Sequence, residues 1–244
     1  MPTVSLSAVF IAYLVLVAAA AAIAVCVRLG SREATTTLGF IAIWLVFDGW
    51  MGVTGIVGRH ANTFPPGIAL LTLPVLAAVL GVVLTRGGAM LAEQIPLGVL
   101  IGFQVFRVGV EMFLHHLWSL GLAPKLMTLE GGNIEIVVAV TAPVAAWLAS
   151  RGTAGRRIAW AWNVIGIISL ANIVARAVLT APGPLRLIDA DPPDTAILMF
   201  PYTFIPGFFV PLALALHILA FRAFRPGATK VRKRGNCPAD ATSR

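Results

Sequence analysis

Seven long apolar runs, separated by short polar stretches, set the pattern of this chain. They cover about residues 4–28, 35–58, 67–85, 95–120, 134–151, 157–180 and 197–222. A membrane-spanning helix needs roughly 20 mostly apolar residues, and most of these runs supply them. A closed barrel is the other structure that satisfies its backbone inside a bilayer. Barrel strands alternate apolar and polar residues over short lengths. These runs are long and continuous. They predict an all-α fold: a polytopic transmembrane bundle of seven helices in residues 1–222, followed by a basic, disordered cytoplasmic tail, 223–244.

Composition supports a membrane protein. Of 244 residues, 59% are hydrophobic and only 11% charged. Soluble domains carry roughly 25% charged residues. The net charge of +8 raises nucleic acid as a partner, but the placement of the charge points elsewhere. Thirteen Lys and Arg fall at the first, third and fifth loops and in the tail, among them Arg28, Arg86, Arg151, Arg156, Lys230 and Arg232. The other loops hold only Arg59, Lys125 and Arg186. The positive-inside rule then puts the N-terminus outside and the C-terminus in the cytoplasm. Opposite sides demand an odd helix number, which agrees with seven. The expected location is a bacterial cytoplasmic (inner) membrane, with membrane lipids as partners and no nucleic acid. The first run lacks a basic leader and is too long for a typical signal, so it reads as an uncleaved helix. Cys26 and Cys237 are expected to be free thiols on the reducing side.

The chemistry lies in the fourth run. Gln104, Arg107, Glu111 and His115 recur every three or four residues and so share one helical face. Charge inside hydrocarbon costs several kcal/mol, at least about 2.5, and marks a partner or a role. The alternating topology places Arg107 near the midplane, with Glu111 and His115 progressively outward. Ser169, Asn172 and Arg176 make a second outward stripe in the sixth run, with Asn163 nearer the cytoplasm. Asp48 lies slightly outward of the middle of the second run. Glu130 and Asn133 occupy the outer loop after the fourth run. The depths allow Asp48, Glu111, Glu130, His115, Asn172 and Arg176 to meet in one outward cavity. Glu111, Asp48 and Glu130 are the candidate acids and bases. Arg107, His115, Asn133, Asn163, Asn172 and Arg176 are the candidate binding residues. Arg107 and Glu111 are spaced to pair within their helix. Trp44, Phe47, Trp50 and Phe103 are placed to line an apolar pocket beside them.

No metal is expected. Glu111 and His115 supply two ligands where a site needs three or four. Haem is not expected either, because His115 and His217 differ in depth by roughly 20 Å at helical rise. His217 reads as a hydrogen-bonded packing histidine. The acidic loop with Asp189, Asp191 and Asp194 lacks the Gly and distal Glu of an EF-hand. No cofactor is implied.

Two stretches carry a resemblance. One runs from Phe103 through Arg107 and Glu111 to Leu114, continues at Pro124, and then reads Met127 to Ile136. The other joins Trp162 to Gly166, Asn172, Arg176, Ala181 to Pro184, Phe200 to Tyr202, Pro206, Pro211 and His217. Together they resemble a widespread family of uncharacterised bacterial seven-helix membrane proteins. The resemblance spans roughly residues 95–222 and implies the topology but no reaction. In that family an Asp more often stands at the position of Glu135, so an acid is kept there.

Three functions remain open. The first is a membrane-embedded enzyme or binding protein for a lipophilic molecule, a lipid or isoprenoid. Glu111 would act as acid or base there, with Asp48 or Glu130, and Arg107 or Arg176 would hold developing charge. Proton-initiated isomerisation or cyclisation suits an acid in an apolar pocket. The second is a small-solute or proton-coupled transporter, since intramembrane carboxylates and histidines are natural proton relays. The third is a structural subunit whose polar groups bond helices together.

Overall fold

A computed structural model describes residues 2–224. The described residues are helices and loops, with no strand. The chain runs through α1 (Pro2–Arg28), α2 (Ser31–Val53), the single turn α3 (Ile56–Arg59), α4 (Gly67–Leu84), the short α5 (Arg86–Gln94) and α6 (Leu97–Gly102). It continues through α7 (Arg107–Ser119), α8 (Glu135–Leu148), α9 (Gly152–Thr180) and α10 (Val210–Ala223). Six stretches are long and apolar enough to cross a membrane: Ser5–Arg28, Ser31–Val53, Gly67–Leu84, Leu97–Ser119, Gly152–Thr180 and Ile205–Ala223. They suggest a multi-pass membrane protein. The tail from 225 onward, with Lys230, Arg232 and Cys237, lies outside the described residues. Cys26 is free and exposed.

The fifth apolar run departs from expectation. Its helix has 14 residues, about 21 Å at about 1.5 Å per residue, against a hydrocarbon core of roughly 30 Å. The shortfall has a local cause. The Asn133 side chain takes the Glu135 N–H at 3.0 Å and starts the helix late. The segment ends in a turn at 149–151, and Gly152, at φ +69°, opens α9. The last run also starts later than expected, because the stretch before Ile205 contains Pro201, which has no N–H to donate.

Two further departures shape the interior. Phe103–Phe106 forms a 3-10 turn between α6 and α7. Its three residues per turn rotate Phe103 out of phase with Arg107. Ile205–Phe209 forms a π-helical turn that opens into α10, a wide turn often found at functional sites.

The buried helix is α10, which packs against α4, α5, α6 and α9. α8 rests on α6, α7 and α9. Phe10 of α1 sits edge-on to Phe113, Tyr202 and Phe209 and fastens the α1–α2 pair to the bundle. At one end Arg156 donates to the Ala223 carbonyl at 2.8 Å and Arg222 to the Val83 carbonyl at 2.5 Å. Each cation meets carbonyls that a helix C-terminus leaves unpaired. The opposite end carries the connections 120–134 and 181–204, joined where Ala196 donates to the Leu122 carbonyl at 3.1 Å.

Candidate functional site

Arg107 stands at the start of α7 and is 4% exposed. Its Nη2 forms an ion pair with Glu135 in the first turn of α8. Its Nη1 donates to Nε2 of His217 on α10 at 3.2 Å. With Nε2 accepting, the proton of the neutral ring resides on Nδ1, which donates to Oδ1 of Asn163 at 2.8 Å. Asn163 returns the bond through Nδ2 to the His217 carbonyl at 3.1 Å. One turn before Arg107, Gln104 donates to the Ala213 carbonyl at 3.0 Å. Gln104 and Arg107 therefore hold α10 at Ala213 and His217, four residues apart. The ring fits because residue 166 is glycine, since any Cβ there would run into His217.

Glu111 lies one turn further along α7 and is 6% exposed. It was expected to pair with Arg107, but the guanidinium turns to Glu135 instead. Oε2 of Glu111 accepts from Asn133 at 2.8 Å, and Asn133 also donates to the Met127 carbonyl at 3.0 Å. The 120–134 connection is folded around these bonds. Thr128 Oγ1 donates to the Lys125 carbonyl at 2.8 Å, and the Thr128 carbonyl accepts from Gly131 and Asn133. Arg176 of α9 clamps the loop from outside, with Nη1 on the Leu126 and Gly131 carbonyls at 3.0 and 2.8 Å. Its Nε donates to exposed Asn172 at 3.3 Å.

Beside Glu111 opens a cavity of about 300 Å³ between α4, α7, α9 and α10. This is the lower end of the range for small-molecule sites. Its wall is apolar apart from Thr72, Arg107, Glu111 and Glu135. The Thr72 hydroxyl is spent on the Ile68 carbonyl at 2.8 Å. The lining includes Leu73 and Leu185, which are 61% and 44% exposed, so the cavity reaches the apolar surface of the bundle.

The expected convergence of all outer acids does not occur. Asp48 is fully buried, but its carboxylate faces Gly207 in the π-helical turn, whose other residues, such as Pro206 and Phe209, line the cavity. Glu130 pairs with His115 at 3.4 Å on the surface, where both are about half exposed. Its own backbone N–H, then Thr128 and His115, hold its carboxyl below the usual range. Such exposed pairs contribute little. Asn172 touches Arg176 and not the cavity. The aromatic expectation also changes. Trp44 donates to the Gly207 carbonyl at 2.8 Å and packs on Phe208, Trp50 is exposed, and Phe103 lines a separate apolar cavity of about 120 Å³.

Glu135 and His217 are the site residues that sequence reasoning passed over. Glu135 was visible only through the resemblance. His217 was recognised as hydrogen-bonded but not as a partner of Arg107. Both ring nitrogens of His217 are engaged, so neither is open to a ligand. Among the described residues no group of three or more His, Cys, Asp or Glu is placed to hold a metal ion. Oε1 of Glu135 is sealed from solvent. Arg107 Nη2 is sealed likewise, so Glu111 is the ionisable group in the cavity wall whose spare bonding capacity is not sealed off: Oε2 is occupied and Oε1 takes no bond from the described residues. A carboxyl so placed can accept or deliver one proton in an apolar space.

No curated protein and no solved structure matches the chain. Residues 63–225, two thirds of the sequence, match a family described as a domain of unknown function, DUF8737. The match takes in α4 to α10, and with them the cavity, the Arg107–His217 link and the clamped loop. The chain belongs to the DUF8737 family.

Proposed function

We propose that this is a seven-helix protein of a bacterial cytoplasmic membrane that binds a lipophilic molecule beside Glu111 and uses that carboxyl as acid or base on it. The observation that carries the reading is the apolar cavity of about 300 Å³ with Glu111 in its wall and exposed Leu73 and Leu185 among its lining. A hydrophobic molecule dissolved in the bilayer can enter such a site without crossing water. Arg107 keeps Glu135 neutralised and holds α7, α8 and α10 in register around the cavity. Asp48 and Glu130 take no part in the chemistry, since neither lines that space.

The topology belongs to the same proposal. Counting α8 as a crossing gives seven, with the N-terminus outside and the end carrying Arg156 and Arg222 in the cytoplasm. Residues 223–244 then lie on the cytoplasmic side, where their Lys and Arg meet anionic lipid.

A photo-crosslinking residue at Val110, in the cavity wall, tests the reading. It should capture a distinct lipophile, while the same group at exposed Met112 captures bulk phospholipid. Identical adducts at the two positions would contradict it. A proton-coupled transporter is the second reading, supported by the unbroken bonding from Glu135 through Arg107 and His217 to Asn163. It requires flux into vesicles that depends on a pH gradient and is lost in His217→Leu.

A further inference from the structure

The polar inventory of the cavity restricts the head group of its occupant. The side-chain donor groups at the wall, Thr72 and Arg107, are both already engaged within the protein. Thr72 is bonded to the Ile68 carbonyl. Arg107 is closed between Glu135 and His217, and its Nη2 is sealed from solvent. Both amide hydrogens of Asn133, the neighbour of Glu111, are used, one on Glu111 and one on Met127. Arg176 is taken up by the Leu126 and Gly131 carbonyls. What remains open to the cavity is an acceptor, Oε1 of Glu111. The formal charge of the wall points the same way: Glu135 cancels Arg107 and leaves one carboxyl over.

An anionic head would find Arg107 already neutralised by Glu135 and would face the Glu111 carboxyl at close range in a low-dielectric space, where like charges repel strongly. A head with no donor would leave Oε1 unsatisfied. A hydroxyl supplies the one missing bond and adds no charge. Resting on the binding role proposed above, we propose that the cavity takes a long-chain alcohol, an apolar chain with one hydroxyl directed at Glu111, and rejects the corresponding phosphate.

The test is equilibrium binding to the full-length protein in a neutral detergent with radiolabelled farnesol, competed by unlabelled farnesol, farnesyl methyl ether and farnesyl monophosphate. Farnesol should compete at least about tenfold better than either analogue, as expected for one hydrogen bond to a carboxylate. Glu111→Gln, whose one oxygen is taken by Asn133 and whose NH2 then faces the cavity, should lose the preference, as should Glu111→Leu. The wild-type ranking decides the matter even where Glu111→Leu fails to fold. Equal competition by all three, or stronger competition by the phosphate, overturns the head-group assignment and leaves the cavity as a lipophile site. No saturable binding of farnesol overturns the assignment together with the binding role.

Discussion

Arg107 forms its ion pair with Glu135 on the neighbouring helix, although Glu111 stands one turn away on its own. The choice ties α7 to the first turn of α8 and leaves Glu111 free toward the cavity. Both partners are about 5% exposed. Removing one partner of such a pair strands the other charge, typically at about 3–5 kcal/mol. Glu135→Gln should therefore lower thermal stability in detergent steeply. The double variant Arg107→Met/Glu135→Met should be milder than either single change. Near-neutral single variants would show that the pair does not hold the helices.

Gly166 is the counterpart of His217 across α9 and α10, and a methyl group at 166 meets the imidazole ring. Gly166→Ala should cost about 1–3 kcal/mol, the usual range for overpacking a tight interior. It should also break the bond to Arg107. Chemical shifts of the ring nitrogens would register the change, and an unaltered His217 spectrum would count against the packing described.

Arg176 reaches over the connection between α7 and α8 and holds two of its carbonyls. Arg176→Met keeps much of the stem and removes the donors. Trypsin should then cut after Lys125 much faster than in the wild type, while the helices stay protected. Unchanged cleavage would mean that the loop is held by Thr128 and Asn133 alone.

Asp194 in the 181–204 connection is fully buried, and burial pushes its carboxyl up to about 7 against the lowering influence of the Ile197 backbone N–H. A carboxyl raised in this way binds its proton in the folded state over a range where the unfolded chain has lost it. Its contribution to stability is thus fully present below about pH 4 and is lost as pH rises toward about 7. Unfolding of this end, followed by hydrogen exchange, should become easier between about pH 4 and 7 and then level off. Asp194→Asn should flatten that slope, and an unchanged slope would assign it to another group.

The helices and the charged stripe of α7 were legible in the sequence, because apolar length and three-to-four spacing are local signals. Partner choice was not. Glu111 is four residues from Arg107 and Glu135 is twenty-eight away, so spacing favoured the wrong acid. Only the approach of α8 to α7 settles the pair. Depth along a helix allowed Asp48 and Glu111 to share one part of the bundle. It could not show that Asp48 faces Gly207 across the π-helical turn, since depth carries no rotation. The short α8 was hidden for a similar reason. Its apolar run is long enough on paper, but Asn133 is drawn inward by Glu111 and Met127, and the helix starts only after it.

Native mass spectrometry of the detergent-purified protein tests the central claim most directly. The wild type should retain one lipophilic molecule per chain, released by denaturing extraction. Glu111→Gln should hold it less tightly, and Ala177→Phe, which fills the cavity, should exclude it. A chain that is empty in all three forms, or one that keeps the same lipid with Ala177→Phe, would contradict a lipophile site beside Glu111.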